Sequence, residues 1–154
     1  MKSRKWLMKT EPDVYSIDDL QHDNVTHWEG IRNYQARNFM MKDMTIGDDV
    51  LIYHSNAKPP GIVGLGKVSS EAYPDFFAWD DNSKYFDPKS PESKPRWFMV
   101  DISFQSKFNR LISLDELKQD DNLTDMMVIK KGVRLSIQPV SEQDFNYILR
   151  TYTE

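Results

Sequence analysis

The sequence predicts an α+β protein built on an antiparallel, barrel-like sheet. Three observations lead there. Several short runs rich in β-formers alternate with short capped helices. "DVLIYHS" and "GIVGLGKVSS" stand as antiparallel partners across the loop "NAKPPG". "RWFMVDISF" alternates with Phe98, Val100, Ile102 and Phe104 on one face.

Taken in order, "RKWLMKTEP" is a first strand ending at Pro12, which lacks an N–H and pushes Glu11 to an extended conformation. "SIDDLQ" is a short helix with Ser16 as N-cap and acids in its first turn. "NYQARNFMMKDM" carries Ala36, Met40 and Met44 at helical spacing, joined by Phe39 and Met41, and Gly47 closes it with a turn. "SLDEL" is a capping box, Ser113 with Glu116, that opens another helix. "GVRLSIQPV" is a last strand stopped by Pro139. "SEQDFNYILRTY" is a C-terminal helix capped by Ser141, with Phe145, Ile148, Leu149 and Tyr152 as its apolar face. Between these elements, Tyr73 to Pro95 holds four prolines and several acids. It is expected to be a long loop, and such loops in compact domains are often functional.

At 154 residues the expected organisation is one domain, residues 1–154, with a core of its own. There is no cysteine, which removes disulfides and thiolate chemistry and fits a reducing compartment. No apolar run approaches the roughly 20 residues that span a bilayer, and the N-terminus lacks a secretory pattern. The expectation is a cytoplasmic protein, nuclear in a cell with a nucleus, without a membrane partner. The net charge of −4 makes the whole body a poor polyanion binder. A local basic pocket near Lys9, Arg32 and Arg37 remains open.

The glycines of "GIVGLG" lie inside a strand pattern, so they suit a bulge or a close backbone approach rather than a phosphate loop. His22, His27 and His54 have no ligand spacing, so no metal or other cofactor is expected. His54 and Ser55 are adjacent in a strand and point to opposite faces, which argues against a base–nucleophile pair. Glu11, at the end of an apolar strand, is either a paired carboxylate or a ligand contact.

The stretch "THWEGIRNYQARNFM" concentrates an indole, a phenol, an amide and two guanidinium groups at the mouth of a helix. Trp28, Tyr34, Trp79 and Trp97 would suffice for an aromatic cage, and stacking a base is worth roughly 1–3 kcal/mol. Asn33, Ser55 and Asn56 offer edge hydrogen bonds. Arg32 or Arg37 offers a bidentate phosphate contact. Against this stands plain packing of Trp28 and Tyr34 in the core.

"WLMKTEPDVYSIDDL", "WEGIRNYQARNFM", "GDDVLIYHSN" and "RLSIQPVSEQDF" together resemble the EVE domain family, over essentially the whole chain. The resemblance implies a PUA-like fold related to the YTH domains, and binding of modified bases in DNA or RNA, with modified cytosine among the ligands. It implies a binding module rather than a catalyst. Its site residues would be Trp28, Arg32, Asn33, Tyr34, Arg37, His54 and Ser55. Lys9, Glu11 and Tyr15 would border the same cavity, and Trp79 would supply a second wall by analogy with the YTH cage. A lone acidic domain would bind weakly, or beside partner domains or proteins that supply affinity. Two alternatives share this pocket: an enzyme on a modified nucleobase, with Glu11, Lys9 or His54 as acid or base, and a small-molecule sensor or protein-interaction module.

Overall fold

The computed structural model describes residues 3–153. Its centre is two apolar runs that lie side by side. Strand β1 (Lys5–Thr10) pairs in parallel with β3 (Asp49–His54), Trp6 opposite Val50 and Met8 opposite Ile52. Alternation sends Trp6, Met8, Val50 and Ile52 to one face and Leu7, Leu51 and Tyr53 to the other. Both faces are covered, which is why these strands are apolar throughout rather than half polar.

The expected antiparallel pair is present: β4 (Gly61–Val68) pairs with β3, and its register shifts beside Ile52/Tyr53. A Cβ at Gly64 would lie 2.5 Å from the Ser106 carbonyl oxygen, so this glycine permits close backbone approach. The strand expected from Arg96 to Phe104 is divided at Val100. Its first part, β6 (Phe98–Met99), pairs with β5 (Tyr73–Pro74). Its second part is β7 (Asp101–Ser113), which pairs with β4 and with a short strand β2 (Val25–His27). The Val100 carbonyl is diverted to accept from Trp28 N–H at 2.8 Å.

The last strand, β8 (Ile137–Val140), begins later than expected and runs through Pro139. Pro139 lies opposite Trp6 in the sheet's edge strand, a position that tolerates a missing N–H. The strand order β2-β7-β4-β3-β1-β8 gives a curled six-stranded half-barrel.

Three helices start where their caps predict. Ser16 caps α1 (Ile17–Asp23), Ser113 caps α3 (Leu114–Gln119) and Ser141 caps α4 (Glu142–Tyr152). The helix expected from Asn33 to Met44 is shorter. Only α2 (Tyr34–Asn38) is α-helical, and a π-turn follows at Phe39–Asp43. The wide turn still seats Ala36, Met40 and Met44 in the core and lays Phe39 on Trp6 at 5.3 Å, while Met41 is exposed. One face of the sheet packs against α1 and the Trp28–Met44 segment, the other against α3 and α4. No helix among the described residues is long and apolar enough to cross a membrane.

Candidate nucleic-acid site

A cavity of about 380 Å³ opens beyond the ends of the parallel strands β1 and β3. That volume suits a small flat ligand. From β1 and the turn after it come Lys9, Thr10, Glu11, Val14 and Tyr15; from β2 and the following loop come Thr26 to Ile31. Ser55 stands at the end of β3, while Lys84, Tyr85, Arg134 and Ser136 close the remaining sides.

Local bonds hold each wall. Val14 and Tyr15 N–H donate to the Glu11 carbonyl, and the Thr10 hydroxyl donates to the Tyr15 carbonyl at 2.8 Å. The Tyr15 hydroxyl donates to Asp23 at 2.8 Å. Burial first, and then Asp23, pushes its pKa up to about 12, so the ring is a neutral wall. Trp28 is only 7% exposed; it belongs to the core and also lines the cavity. Packing and cavity-lining are therefore the same role for this residue.

Tyr85 reaches the cavity through contacts made behind it. Gly30 has φ +84°, and a Cβ there would lie 2.4 Å from the Tyr85 ring. The Gly30 N–H donates to buried Asp75 at 2.8 Å, and Arg32 Nη1 donates to the same carboxylate oxygen at 3.0 Å. Arg32 Nε and Nη2 both donate to the Tyr85 carbonyl. The Arg32 guanidinium lies 5.5 Å from the Tyr85 and Trp97 ring centres. Trp97 stacks on Tyr34 at 4.9 Å, and Arg37 covers Tyr34 at 4.6 Å. This alternation of cations and rings pins the Tyr73–Pro95 segment onto the helix-mouth stretch.

Charge is unevenly spent. Lys9, Lys84 and Arg134 line the cavity, and no carboxylate among the described residues forms an ion pair with them. Burial lowers the Lys9 pKa. Lys84 lies 5.0 Å from the Tyr85 ring centre. The two lining carboxylates have partners: Glu11 accepts from the Asn56 amide at 3.1 Å, and Glu29 is 2.7 Å from His27 Nδ1. Burial alone would lower the His27 pKa, but the hydrogen bond and charge of Glu29 raise it above its ordinary value. No group of three or more potential ligands for a metal is found among the described residues.

The EVE domain family model matches residues 4–151. The chain belongs to the EVE domain family. Human thymocyte nuclear protein 1 is 42% identical over 165 residues, covering 96% of this chain and 73% of that protein. A hypothetical protein from Leishmania major superposes with a TM-score of 0.92 at 46% identity, over 97% of this chain and 94% of its own. Human THYN1 in complex with 5-methylcytosine-containing DNA gives 0.89 at 41% identity, over 96% of each chain.

Of the residues proposed from sequence, this EVE domain brings Lys9, Glu11, Tyr15, Trp28 and Ser55 to the cavity. The others do not line it. Asn33 caps α2 through the Ala36 N–H. Arg32, Tyr34 and Arg37 form the stack behind Tyr85, and Arg37 Nη1 also donates to the Arg96 carbonyl. His54 Nε2 accepts from Ile17 N–H at 3.1 Å and so holds the start of α1; burial, helped by Lys107, lowers its pKa. Trp79 sits in a 3-10 turn (Phe76–Trp79), and the loop residues at the cavity are Lys84 and Tyr85. His27, Glu29, Lys84, Tyr85 and Arg134 were not singled out from sequence. Arg134 opens the last of the four EVE-like segments, and His27 and Glu29 flank Trp28, so these three had a signal nearby. Lys84 and Tyr85 lie in the Tyr73–Pro95 loop that its length and prolines had marked, but no pattern picked out these two within it.

Proposed function

We propose that this EVE domain is a non-catalytic reader of modified DNA that takes a base such as 5-methylcytosine into the cavity between Tyr15, Trp28 and Tyr85. The observation that carries the reading is an aromatic cavity edged by unspent cations, in a fold shared closely with human THYN1 in its complex with 5-methylcytosine-containing DNA. Apolar ring surface suits a methyl group. Lys9, Lys84 and Arg134 take the phosphate role for which Arg32 and Arg37 were candidates, since those two guanidiniums are committed to the chain itself. Extruding a base from a duplex costs a few kcal/mol. The body carries a net charge of −4 and contributes little of that, so single strands and already flipped bases are the better ligands, or a partner adds affinity.

Fluorescence-polarisation titration of the full chain tests this, using matched DNA and RNA oligonucleotides with cytosine or 5-methylcytosine at one position. The methylated DNA is expected to bind more tightly. Tyr85→Ala should weaken it by about tenfold or more, the scale of one lost base stack. Arg134→Ala should weaken every sequence alike and reduce the salt slope by about one. Equal affinity for methylated and unmethylated strands would reject the reading; tighter RNA binding would move it to RNA.

A further inference from the structure

We infer that Glu29, held by His27, reads the exocyclic amine of the base in this cavity, so that the site admits cytosine-type bases and rejects thymine and uracil. The inference rests on the proposed function above and adds to it an edge contact that the aromatic walls cannot make. Rings see a methyl group and a π-face, and 5-methylcytosine and thymine present much the same of both. The two bases differ at position 4, where cytosine has an N–H₂ donor and thymine an oxygen acceptor. A carboxylate set against position 4 accepts from the first and repels the second, whereas one set against position 3 would take the thymine N–H; Glu29 is therefore assigned to position 4.

Glu29 is the carboxylate placed for this. Its backbone is fixed on both sides, by Trp28 N–H on the Val100 carbonyl and by Gly30 N–H on Asp75, each at 2.8 Å. Its side chain is about two-thirds buried at the cavity, and one oxygen, Oε2, is tied to His27 Nδ1 at 2.7 Å. His27 is itself wedged against Phe76 and Phe77, with ring centres 5.9 and 5.4 Å away. The other oxygen, Oε1, has no hydrogen-bond partner among the described residues. A reading group needs this kind of second layer to hold its geometry.

The competing groups fit less well. Asp75 spends its oxygens on Gly30, Arg32 and Phe77. Glu11 is exposed and held only by the Asn56 amide. The hydroxyls of Thr26 and Ser55 turn to donate or accept, so they tell neither base from the other. Asn33, the amide expected to fix a base edge, is spent on its own helix.

The test uses single-stranded DNA with 5-methylcytosine, cytosine or thymine at one position, bound to the wild-type chain and to Glu29→Gln, Glu29→Asp and Glu11→Gln. The wild type is expected to prefer 5-methylcytosine over thymine by about tenfold or more. In Glu29→Gln that ratio should fall towards one, because an amide accepts or donates, while the preference for 5-methylcytosine over cytosine persists and marks an intact pocket. An unchanged ratio in Glu29→Gln, or loss of the ratio in Glu11→Gln, overturns the assignment. If Glu29→Gln binds nothing, Glu29→Asp decides: a reduced ratio supports the inference and a wild-type ratio overturns it. A wild type that prefers 5-methylcytosine over cytosine yet takes thymine equally well defeats the edge contact alone. No preference for 5-methylcytosine over cytosine defeats the proposed function itself.

Discussion

Asp48 is a fully buried carboxylate that accepts from the Arg4 and Thr45 N–H groups, the Thr45 hydroxyl and the Trp6 indole. Burial alone would raise its pKa, but these four donors outweigh burial and hold it below the ordinary carboxylate value. Its contribution to stability is therefore fully present above the unfolded carboxylate pKa, about 4. It is lost as pH falls through the lower folded value. Urea midpoints should drop in that acid window for the wild type and lose this part of their pH dependence in Asp48→Asn. Asp48→Ala, which orphans buried donors, should cost about 3 kcal/mol at neutral pH. The same residue scale shows where sequence reasoning stops. Arg32, Asn33, Tyr34 and Arg37 were legible as groups that need partners. Residue type does not say whether that partner is a ligand or the chain, and for these four the structure supplies the chain.

Helix starts were legible because a cap is a local bargain between a hydroxyl and an N–H three residues on, as at Ser16, Ser113 and Ser141. Elements defined by their partners were not. The strand at Val25–His27 is too short to show a period and exists through pairing with Ser103 to Asp101. The Tyr73–Pro95 segment likewise carries no periodicity, and its shape comes from Asp75, Arg32 and Trp97. Trp97 Nε1 donates to Asp87 at 2.6 Å, and the Asp87 N–H bonds the Ala78 carbonyl at 2.9 Å. Arg32→Lys tests this arrangement, because an ammonium lacks the fork that meets the Tyr85 carbonyl and the flat face that stacks. Limited proteolysis should then cut between residues 80 and 90 about tenfold faster, through local opening. Binding of methylated DNA should weaken in parallel. Cleavage at the wild-type rate would remove Arg32 from the positioning role.

At the scale of the whole molecule, the α+β class and the central β3–β4 pair follow from apolar pattern, whereas the strand order does not. β1 lies between β3 and β8, and nothing local at Lys5 to Thr10 announces a neighbour more than a hundred positions later in the chain. Non-local pairing of this kind slows folding to roughly milliseconds to seconds. Stopped-flow refolding followed by Trp fluorescence should fall in that range, and microsecond refolding would contradict the pairing. For a ribosome emitting the chain from N- to C-terminus, Lys9 and Tyr15 leave the tunnel well before Arg134 and wait unenclosed. Arg134 and Ser136 arrive with the strand that zips against β1, so more than a hundred further residues must emerge before the cavity has its last wall. Any nascent fragment that stops short of that strand is a sheet with an open seam and half a pocket, a natural client for chaperones.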